Sequence, residues 1–408
     1  MSVDDVLARF YREEHSRLLA ALVARFGDLD LAEESAQEAM AAALATWPSA
    51  GVPDHPLAWL ITTARRKALD RVRRDAVLAR RLAELALERQ PDEPVPAPGP
   101  TDERLAMLMG CCHPAIAPAD RIALMLRFVG GLTSAEVAQS LLLPLPTIQA
   151  RITRAKRRIR VNRIPLRVPE DPAEQQRRLP LILTAISLVF TEGYDATGGT
   201  NTLRADLTEE AIRLARIVAA PTPPRAEPLG LLALLLLTDA RRAARVDAEG
   251  VPIALEEQDR TRWDPDLISE GLALVERAAG LPDAGRLTAL AAIAAVHSEA
   301  ATFADTDWPQ IVALYDLLLR HGPDPVAAMN RAIAVGRRDT PQAGLALLEA
   351  MADEPILARH HPYHVALALF RAECADPAGS RRAWIRARDL VDNQAQRRFI
   401  DRHLSPDG

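Results

Sequence analysis

Positive charge is concentrated in one short stretch, "LPTIQARITRAKRRIR" (residues 145–160), which holds six Lys or Arg residues and no acid. The whole chain carries a formal net charge of −5, so its overall composition does not explain this cluster. Cationic side chains neutralise phosphates, and Arg and Gln can hydrogen-bond base edges in a major groove. The cluster therefore predicts contact with nucleic acid. The alternative is a solvated basic face, which would normally carry acidic partners four residues away.

A helix-turn-helix is the element predicted to position this cluster. Thr133 and Glu136 have the spacing of a capping box, which begins a short helix. Pro144 ends that helix, and Pro146 suits the first turn of the next one. At 100° per residue the second helix has a narrow apolar stripe, about 60° wide, formed by Ile148, Ile152, Ala155 and Ile159. The basic residues all lie outside this stripe, as insertion into a major groove requires.

A second basic cluster, residues 65–81, contains eight Lys or Arg residues and two Asp. Trp59 and Trp47 precede it in the sequence. Basic residues next to aromatic rings suit single-stranded or melted nucleic acid, because bases stack on the rings while the cations hold the phosphates. The alternative for each tryptophan is a position in the core.

An acidic segment, "DLDLAEESAQE" (residues 28–38), lies upstream of both clusters and contains no basic residue. Such a surface cannot face phosphate. It is either solvated or a docking surface for a basic partner protein, and the residues alone favour neither.

Length and composition indicate the class of protein. A chain of 408 residues with 49% apolar and 26% charged residues is typical of a soluble globular protein of two or three domains. The longest apolar run, near residues 229–237, is far shorter than the ~20 residues of a membrane span, and the acidic N-terminus does not resemble a secretory signal. We expect a cytoplasmic protein. Its three cysteines have the spacing of neither a disulfide framework nor a zinc site.

Nearly every segment has helical periodicity, which predicts an all-α fold. Two proline-rich stretches divide the chain, near residues 90–100 and 162–172. We therefore predict a first domain at 1–88, a linker at 89–100, a helix-turn-helix domain at 101–164 and a C-terminal helical domain at 175–408. Residues 1–165 carry 23 Lys or Arg and 20 Asp or Glu, whereas the rest carry 27 and 35. Only the first part is expected to meet a polyanion.

The order of these elements resembles the extracytoplasmic-function (ECF) sigma factors of the sigma-70 family. "DLDLAEESAQEAMAAALATW" is similar to region 2.2, "PLAWLITTARRKALDRVRR" to regions 2.3 and 2.4, and "LTSAEVAQSLLLPLPTIQARITRAKRRI" to region 4.2. The resemblance implies a transcription initiation factor whose partners are core RNA polymerase and promoter DNA, duplex at the −35 element and melted at the −10 element.

The resemblance also implies roles for individual residues. The polymerase clamp would be contacted by Asp28, Asp30, Glu33, Glu34, Gln37 and Glu38. The −10 element would be held by Trp59, Arg65, Lys67, Arg71, Arg73 and Arg74. The −35 element would be bound by Thr147, Gln149, Arg151, Arg154, Lys156, Arg157 and Arg158.

The C-terminal part resembles a subgroup with a long tetratricopeptide-like extension, through motifs such as "LLALLLLTDARRAAR", "EQDRTRW" and "AAIAAVHSEA". The resemblance implies regulation by this extension, through a partner protein or a small-molecule signal. Pairs such as "DPVAAMNRAIAVGRR" with "QAGLALLEAM", and "PYHVALALFRAECA" with "SRRAWIRARDLV", predict stacked helix pairs.

No motif in this part predicts an enzyme, a metal site or a cofactor. His361 and His364 could ligate a metal, but a surface or capping role is the simpler interpretation. Asp259, Arg260, Trp263, His297 and Glu299 either line a ligand cleft or form buried ion pairs and hydrogen bonds that hold helices together. The alternative function for the chain is a helix-turn-helix regulator with a ligand-sensing helical domain.

Overall fold

The structure, a computed structural model, describes residues 6–7, 10, 14–83, 103–198, 202–221 and 223–405. Within these ranges all long elements are α-helices, and an isolated antiparallel bridge joins Val246 to Pro252. The all-α prediction is therefore confirmed. Contacts divide the chain into two compact units, Met1–Val189 and Phe190–Gly408. The predicted linker at 89–100 lies outside the described residues, and the predicted domain limits stay predictions.

The first unit contains eight helices in the described ranges, the last of which continues into the second unit. They are α1 (His15–Phe26), α2 (Leu29–Ala50), α3 (Pro56–Ala83), α4 (Glu103–Cys111), α5 (Pro118–Phe128), α6 (Ser134–Ser140), α7 (Leu145–Val161) and α8 (Pro172–Tyr194).

Helix α2 begins after Asp28, whose side chain accepts hydrogen bonds from the backbone N–H groups of Asp30 and Leu31, at 2.8 and 3.0 Å. Small residues recur along its buried side, and a small side chain lets neighbouring helices approach closely. Helices α1 and α3 both pack against α2. The buried alanines of this stripe are Ala32, Ala36, Ala39 and Ala43.

Helix α8 packs on the predicted helix-turn-helix domain, residues 101–164. Arg178 donates a hydrogen bond from Nη1 to the Met109 carbonyl oxygen at 2.6 Å. At Gly130 the approach is so close that a Cβ there would lie 2.5 Å from Cγ2 of Val189. Residues 172–189 therefore belong with the first unit, whereas the predicted C-terminal segment starts at residue 175.

The second unit is a succession of helices in which most helices pack on the next along the chain. They are α9 (Ala205–Ala219), α10 (Ala226–Asp239), α11 (Pro265–Ala279), α12 (Arg286–Glu299), α13 (Trp308–Arg320), α14 (Pro325–Arg338), α15 (Pro341–Glu349), α16 (His361–Glu373), α17 (Pro377–Asp389) and α18 (Gln394–Leu404). Short 3₁₀ helices cover Arg242–Ala244, Leu255–Glu257, Arg260–Arg262 and Leu357–Arg359. The predicted pairing of α14 with α15 and of α16 with α17 is confirmed.

Candidate nucleic-acid interface

The predicted helix-turn-helix is formed by α6 and α7. Both capping-box hydrogen bonds are present: the Thr133 hydroxyl accepts from the Glu136 N–H at 3.2 Å, and the Thr133 N–H donates to Glu136 Oε2 at 2.7 Å. Pro146 lies in the first turn of α7, as predicted. The buried residues of α7 are Ile148, Ile152, Ala155 and Ile159, the four that the sequence predicts.

The first turns of α7 present polar side chains away from this buried stripe. Gln149 is exposed, and Thr147 and Arg151 are half-buried. The structure thus places the residues expected to read base edges on the accessible side of the helix. Further along, Arg157 and Arg158 are exposed, and neither has an ion-pair partner in the described part of the chain.

Arg154 is held by a neighbour in its own domain. Its guanidinium donates two hydrogen bonds to the carboxylate of Asp120 on α5, at 2.9 and 3.3 Å. Asp120 is buried, whereas the Arg154 side chain remains 59% exposed. This fork fixes the direction of the guanidinium and leaves part of it accessible. Asp120 is a positioning residue that the sequence did not single out.

The C-terminal half of α7 faces the acidic helix α2. Lys156 Nζ lies 2.5 Å from Asp30 Oδ1 and 3.3 Å from Glu33 Oε2. Burial lowers the pKa of Lys156, but the hydrogen bonds and charges of the two acids outweigh burial, so the net shift is upward and the amine stays charged. Arg160 adds a looser pair with Asp30 at 3.7 Å.

Arg127 of α5 completes this set of ion pairs. Its Nη2 donates to Glu33 Oε1 at 2.7 Å, and both side chains are mostly buried, at 12% and 19% exposed. We refer to the five residues Asp30, Glu33, Arg127, Lys156 and Arg160 as the clasp. Sequence reasoning did not assign Arg127 or Arg160 to any site. Both lysines of the chain, Lys67 and Lys156, contact acids of α2.

The remaining acids of α2 face α3. Glu34 pairs with Arg71 at 2.6 Å and Glu38 lies 4.0 Å from Lys67, and all four side chains are well exposed. The structure therefore brings part of the predicted polymerase-binding set against part of the predicted −10 set. Gln37 is exposed and Asp28 caps α2.

Trp59 lies on the first turn of α3 and meets Trp47 edge to face, with ring centroids 5.4 Å apart. Trp47 is buried, so it has the core position that was one interpretation, whereas Trp59 is half-exposed. Trp47 thus supports Trp59, whose exposed part is available for stacking. Arg65, Arg73 and Arg74 are exposed further along α3.

The cysteines and the His361–His364 pair belong to no metal-binding cluster in the described residues. Cys111, Cys112 and Cys374 are free thiols, and burial raises the pKa of both Cys111 and Cys112. No group of three or more His, Cys, Asp or Glu side chains in the described ranges has the geometry of a metal site. In those ranges, none of the helices combines the length and the apolar character needed to cross a bilayer.

Comparison with known proteins matches three segments of the chain. Residues 10–77 match the family described as Sigma-70 region 2, and residues 106–159 match Sigma-70 region 4. Residues 178–279 match a family of unknown function, DUF6596. The region 2 match covers α1–α3 and the region 4 match covers α4 to most of α7.

The chain is also similar to whole proteins. An uncharacterized protein of Rhizobium meliloti (strain 1021) is 38% identical over 392 residues, 95% of this chain and 92% of that protein. The ECF RNA polymerase sigma factor SigK of Mycobacterium ulcerans (strain Agy99) is 32% identical over 167 residues, 38% of this chain and 84% of SigK. SigK of Mycobacterium bovis (strain BCG / Pasteur 1173P2) is 33% identical over 160 residues, again 38% of this chain and 83% of SigK. No solved structure matches.

A helical region 2 followed by a region 4 helix-turn-helix defines a sigma-70-type transcription initiation factor. The chain belongs to the ECF RNA polymerase sigma factors and carries an additional helical part after region 4. The alternative of a regulator that acts without polymerase is not favoured, because region 2 is matched as well as region 4.

Proposed function

We propose that this sigma factor keeps its polymerase-binding acids engaged with its own DNA-binding domain until core RNA polymerase displaces them. The observation that carries the proposal is the position of Lys156, between Asp30 and Glu33. In the open form α2 docks on the polymerase clamp, α3 with Trp59 holds the melted −10 element, and the first turns of α7 read the duplex −35 element.

Charge complementarity supports this mechanism. The acidic helix α2 is complementary in charge to a basic surface of the polymerase, and the basic helix α7 is complementary to DNA phosphates. In the clasp the two helices bind each other instead. When the polymerase binds Asp30 and Glu33, these acids leave Lys156. The lysine is then free to bind a DNA phosphate. The exchange couples docking to DNA binding.

The strength of the clasp suits such an exchange. The Arg160–Asp30 pair is exposed and contributes at most about 1 kcal/mol. The pairs of Glu33 with Arg127 and Lys156 are largely buried and hydrogen-bonded, and each contributes roughly 1–3 kcal/mol. Opening thus costs several kcal/mol, a fraction of the ~12 kcal/mol of a nanomolar complex.

Run-off transcription with purified core polymerase tests the function itself. Promoter-specific transcripts should form only when this protein is added, and their absence on every promoter tried would contradict sigma activity.

The clasp is tested by comparing Lys156→Gln with Arg158→Gln, a matched control on the same helix without a clasp partner. Both substitutions should weaken promoter binding through a lost phosphate contact. Only Lys156→Gln should also accelerate association with core polymerase, measured by stopped-flow fluorescence. Equal association rates for the two variants would mean that Lys156 is a DNA contact alone.

The second unit regulates initiation in this proposal. Because residues 172–189 pack on region 4, a truncated chain should end after Tyr194 rather than before α8. Higher run-off activity of the truncated chain than of the full chain would assign inhibition to the second unit, and loss of activity would assign a required role. Unchanged activity would contradict regulation.

A further inference from the structure

Three motifs of the second unit converge on one place in the fold. Arg241 follows α10, Arg260 and Trp263 lie in the loop before α11, and His297 lies near the end of α12. The guanidinium carbons of Arg241 and Arg260 lie 5.9 and 4.6 Å from the centre of the Trp263 ring. Arg260 Nη1 also donates to the carbonyl oxygen of His297 at 2.6 Å. None of these contacts involves a carboxylate.

The two arginines differ from their neighbours in this respect. Arg242 is paired with Asp239 and Glu209, and Arg245 with Asp195. In the described part of the chain, no carboxylate lies within ion-pair distance of Arg241 or Arg260. The acid whose charge acts on Arg260, the exposed Asp305, accepts hydrogen bonds from Thr302 instead.

Several N–H groups of this cluster are buried and have no acceptor among the residues that the structure describes. They are Nε of Arg241, Nη2 of Arg260 and Nε1 of Trp263, and the Nδ1 atom of His297 is likewise unpartnered. A buried N–H without an acceptor costs about 1–3 kcal/mol, and two like charges side by side add repulsion. Burial first, and then the charge of Arg241, lowers the pKa of Arg260. An anion that accepts from these groups would relieve both costs.

An aromatic cleft of about 250 Å³ adjoins the cluster through His297. Its walls include Phe303, Trp308 and Tyr315, and the Trp308 ring meets both His297 and Phe303 edge to face. The volume is below the range of drug-sized ligands and suits a single ring.

We propose that Arg241 and Arg260 bind the carboxylate or phosphate group of a small ligand whose apolar part occupies the aromatic cleft. Planar guanidinium groups match such oxyanions through paired N–H donors, and the indole N–H of Trp263 supplies a further donor. The site lies within the second unit and does not depend on how the first unit binds DNA or polymerase.

Isothermal titration calorimetry of the full chain tests the site with two probes, benzoate and inorganic phosphate, against chloride at equal ionic strength. Benzoate presents both parts of the proposed ligand, and phosphate presents the anion alone. We expect saturable binding, tighter for benzoate. Arg241→Gln should weaken it about 10–100-fold, as expected for a lost charged hydrogen bond. Arg260→Lys, which keeps the charge but loses the fork, should weaken it as well.

Arg262→Gln is the matched control, because Arg262 lies on the same short helix as Arg260 and is exposed. Binding to this variant should equal that of the unmodified chain. Stability without ligand gives a second measurement: Arg241→Gln should unfold at the same or higher temperature, because it removes repulsion. No saturable binding of either probe, undiminished binding to Arg241→Gln, or a destabilised Arg241→Gln would each overturn the proposal.

Discussion

Lys156 Nζ and Glu33 Oε2 lie 3.3 Å apart, although 123 residues separate them in the chain. Glu33 also accepts from Arg127, so one carboxylate joins region 2 to two cations of region 4. Such a shared acid serves two purposes in this sigma factor. It stabilises the first unit, and it joins one residue of the predicted polymerase-binding set, Glu33, to one of the predicted −35 set, Lys156.

Replacing Glu33 should therefore destabilise the first unit more than replacing its exposed neighbour. Glu33→Gln removes both of its ion pairs, with Arg127 and Lys156, and we expect a loss of roughly 2–5 kcal/mol in the free energy of unfolding. Glu34→Gln, the control, should lose less than about 1 kcal/mol, because the Glu34–Arg71 pair is exposed. Urea unfolding measures both, and similar losses would show that the clasp adds no stability.

Arg151→Ala should lower −35 binding by about 1–3 kcal/mol, and the loss should depend on the promoter sequence, if Arg151 contacts a base edge. Arg157→Ala should weaken binding to all sequences alike and reduce the slope of affinity against salt by about one charge. Fluorescence anisotropy with matched and mutated −35 duplexes separates the two. A sequence-independent loss for Arg151→Ala would reassign it to a phosphate.

Leu142 in the turn between α6 and α7 has a φ of 52°, in the left-handed region, and its side chain is 87% exposed. Leu142→Gly removes the steric penalty of about 1–2 kcal/mol and adds an entropic cost of about 0.5–1 kcal/mol. The net expectation is a gain of roughly 0.5–1 kcal/mol in unfolding free energy. Leu142→Ala keeps the penalty and should give no gain. A loss of stability in Leu142→Gly would mean that the exposed leucine makes a stabilising contact.

His297 makes the stability of the second unit depend on pH. Burial, then the charges of Arg241 and Arg260, lowers its pKa to about 4 from 6.5. The unfolded chain therefore binds the proton first, so stability is complete above pH 6.5 and falls as the pH is lowered towards 4, by up to about 3 kcal/mol. His297→Gln should reduce this dependence, measured by unfolding at several pH values, and His360, His361 and His364, whose pKa values burial also lowers, should keep the remainder. The exposed His321→Gln is the control, and an equal profile for His297→Gln would contradict the assignment.

The helix-turn-helix could be predicted in detail because its signals are local. The capping box at Thr133 and the stripe from Ile148 to Ile159 are read from spacings of three or four residues. The acidic and basic clusters were also visible in the sequence. The pairing of these clusters could not be predicted, because a run of like charges shows the sign of a surface but not which other surface it contacts.

The same limit applies to the second unit. Arg260, Trp263 and His297 stood out in the sequence, and the two interpretations were a ligand cleft or buried ion pairs and hydrogen bonds between helices. Arg260 forms hydrogen bonds rather than ion pairs, because its guanidinium donates to the carbonyl oxygens of His297 and Ala300, so the second interpretation holds for its hydrogen bonds. Arg241 was not singled out, because its neighbours Arg242 and Arg245 have the same side chain and only the fold leaves Arg241 without an acid.

Because lysine is rare in this chain, the reactivity of Lys156 can report whether the clasp is open or closed. Of its two lysines, Lys156 is held in the clasp with 19% of its side chain exposed, whereas Lys67 is 45% exposed. An amine-reactive label read by mass spectrometry would modify Lys67 readily and Lys156 slowly, and the ratio of the two rates would follow the closed population directly. A chain that uses arginine at 48 positions thus has an amine-reactive reporter at the contact between Lys156 and Asp30, with Lys67 as its internal reference.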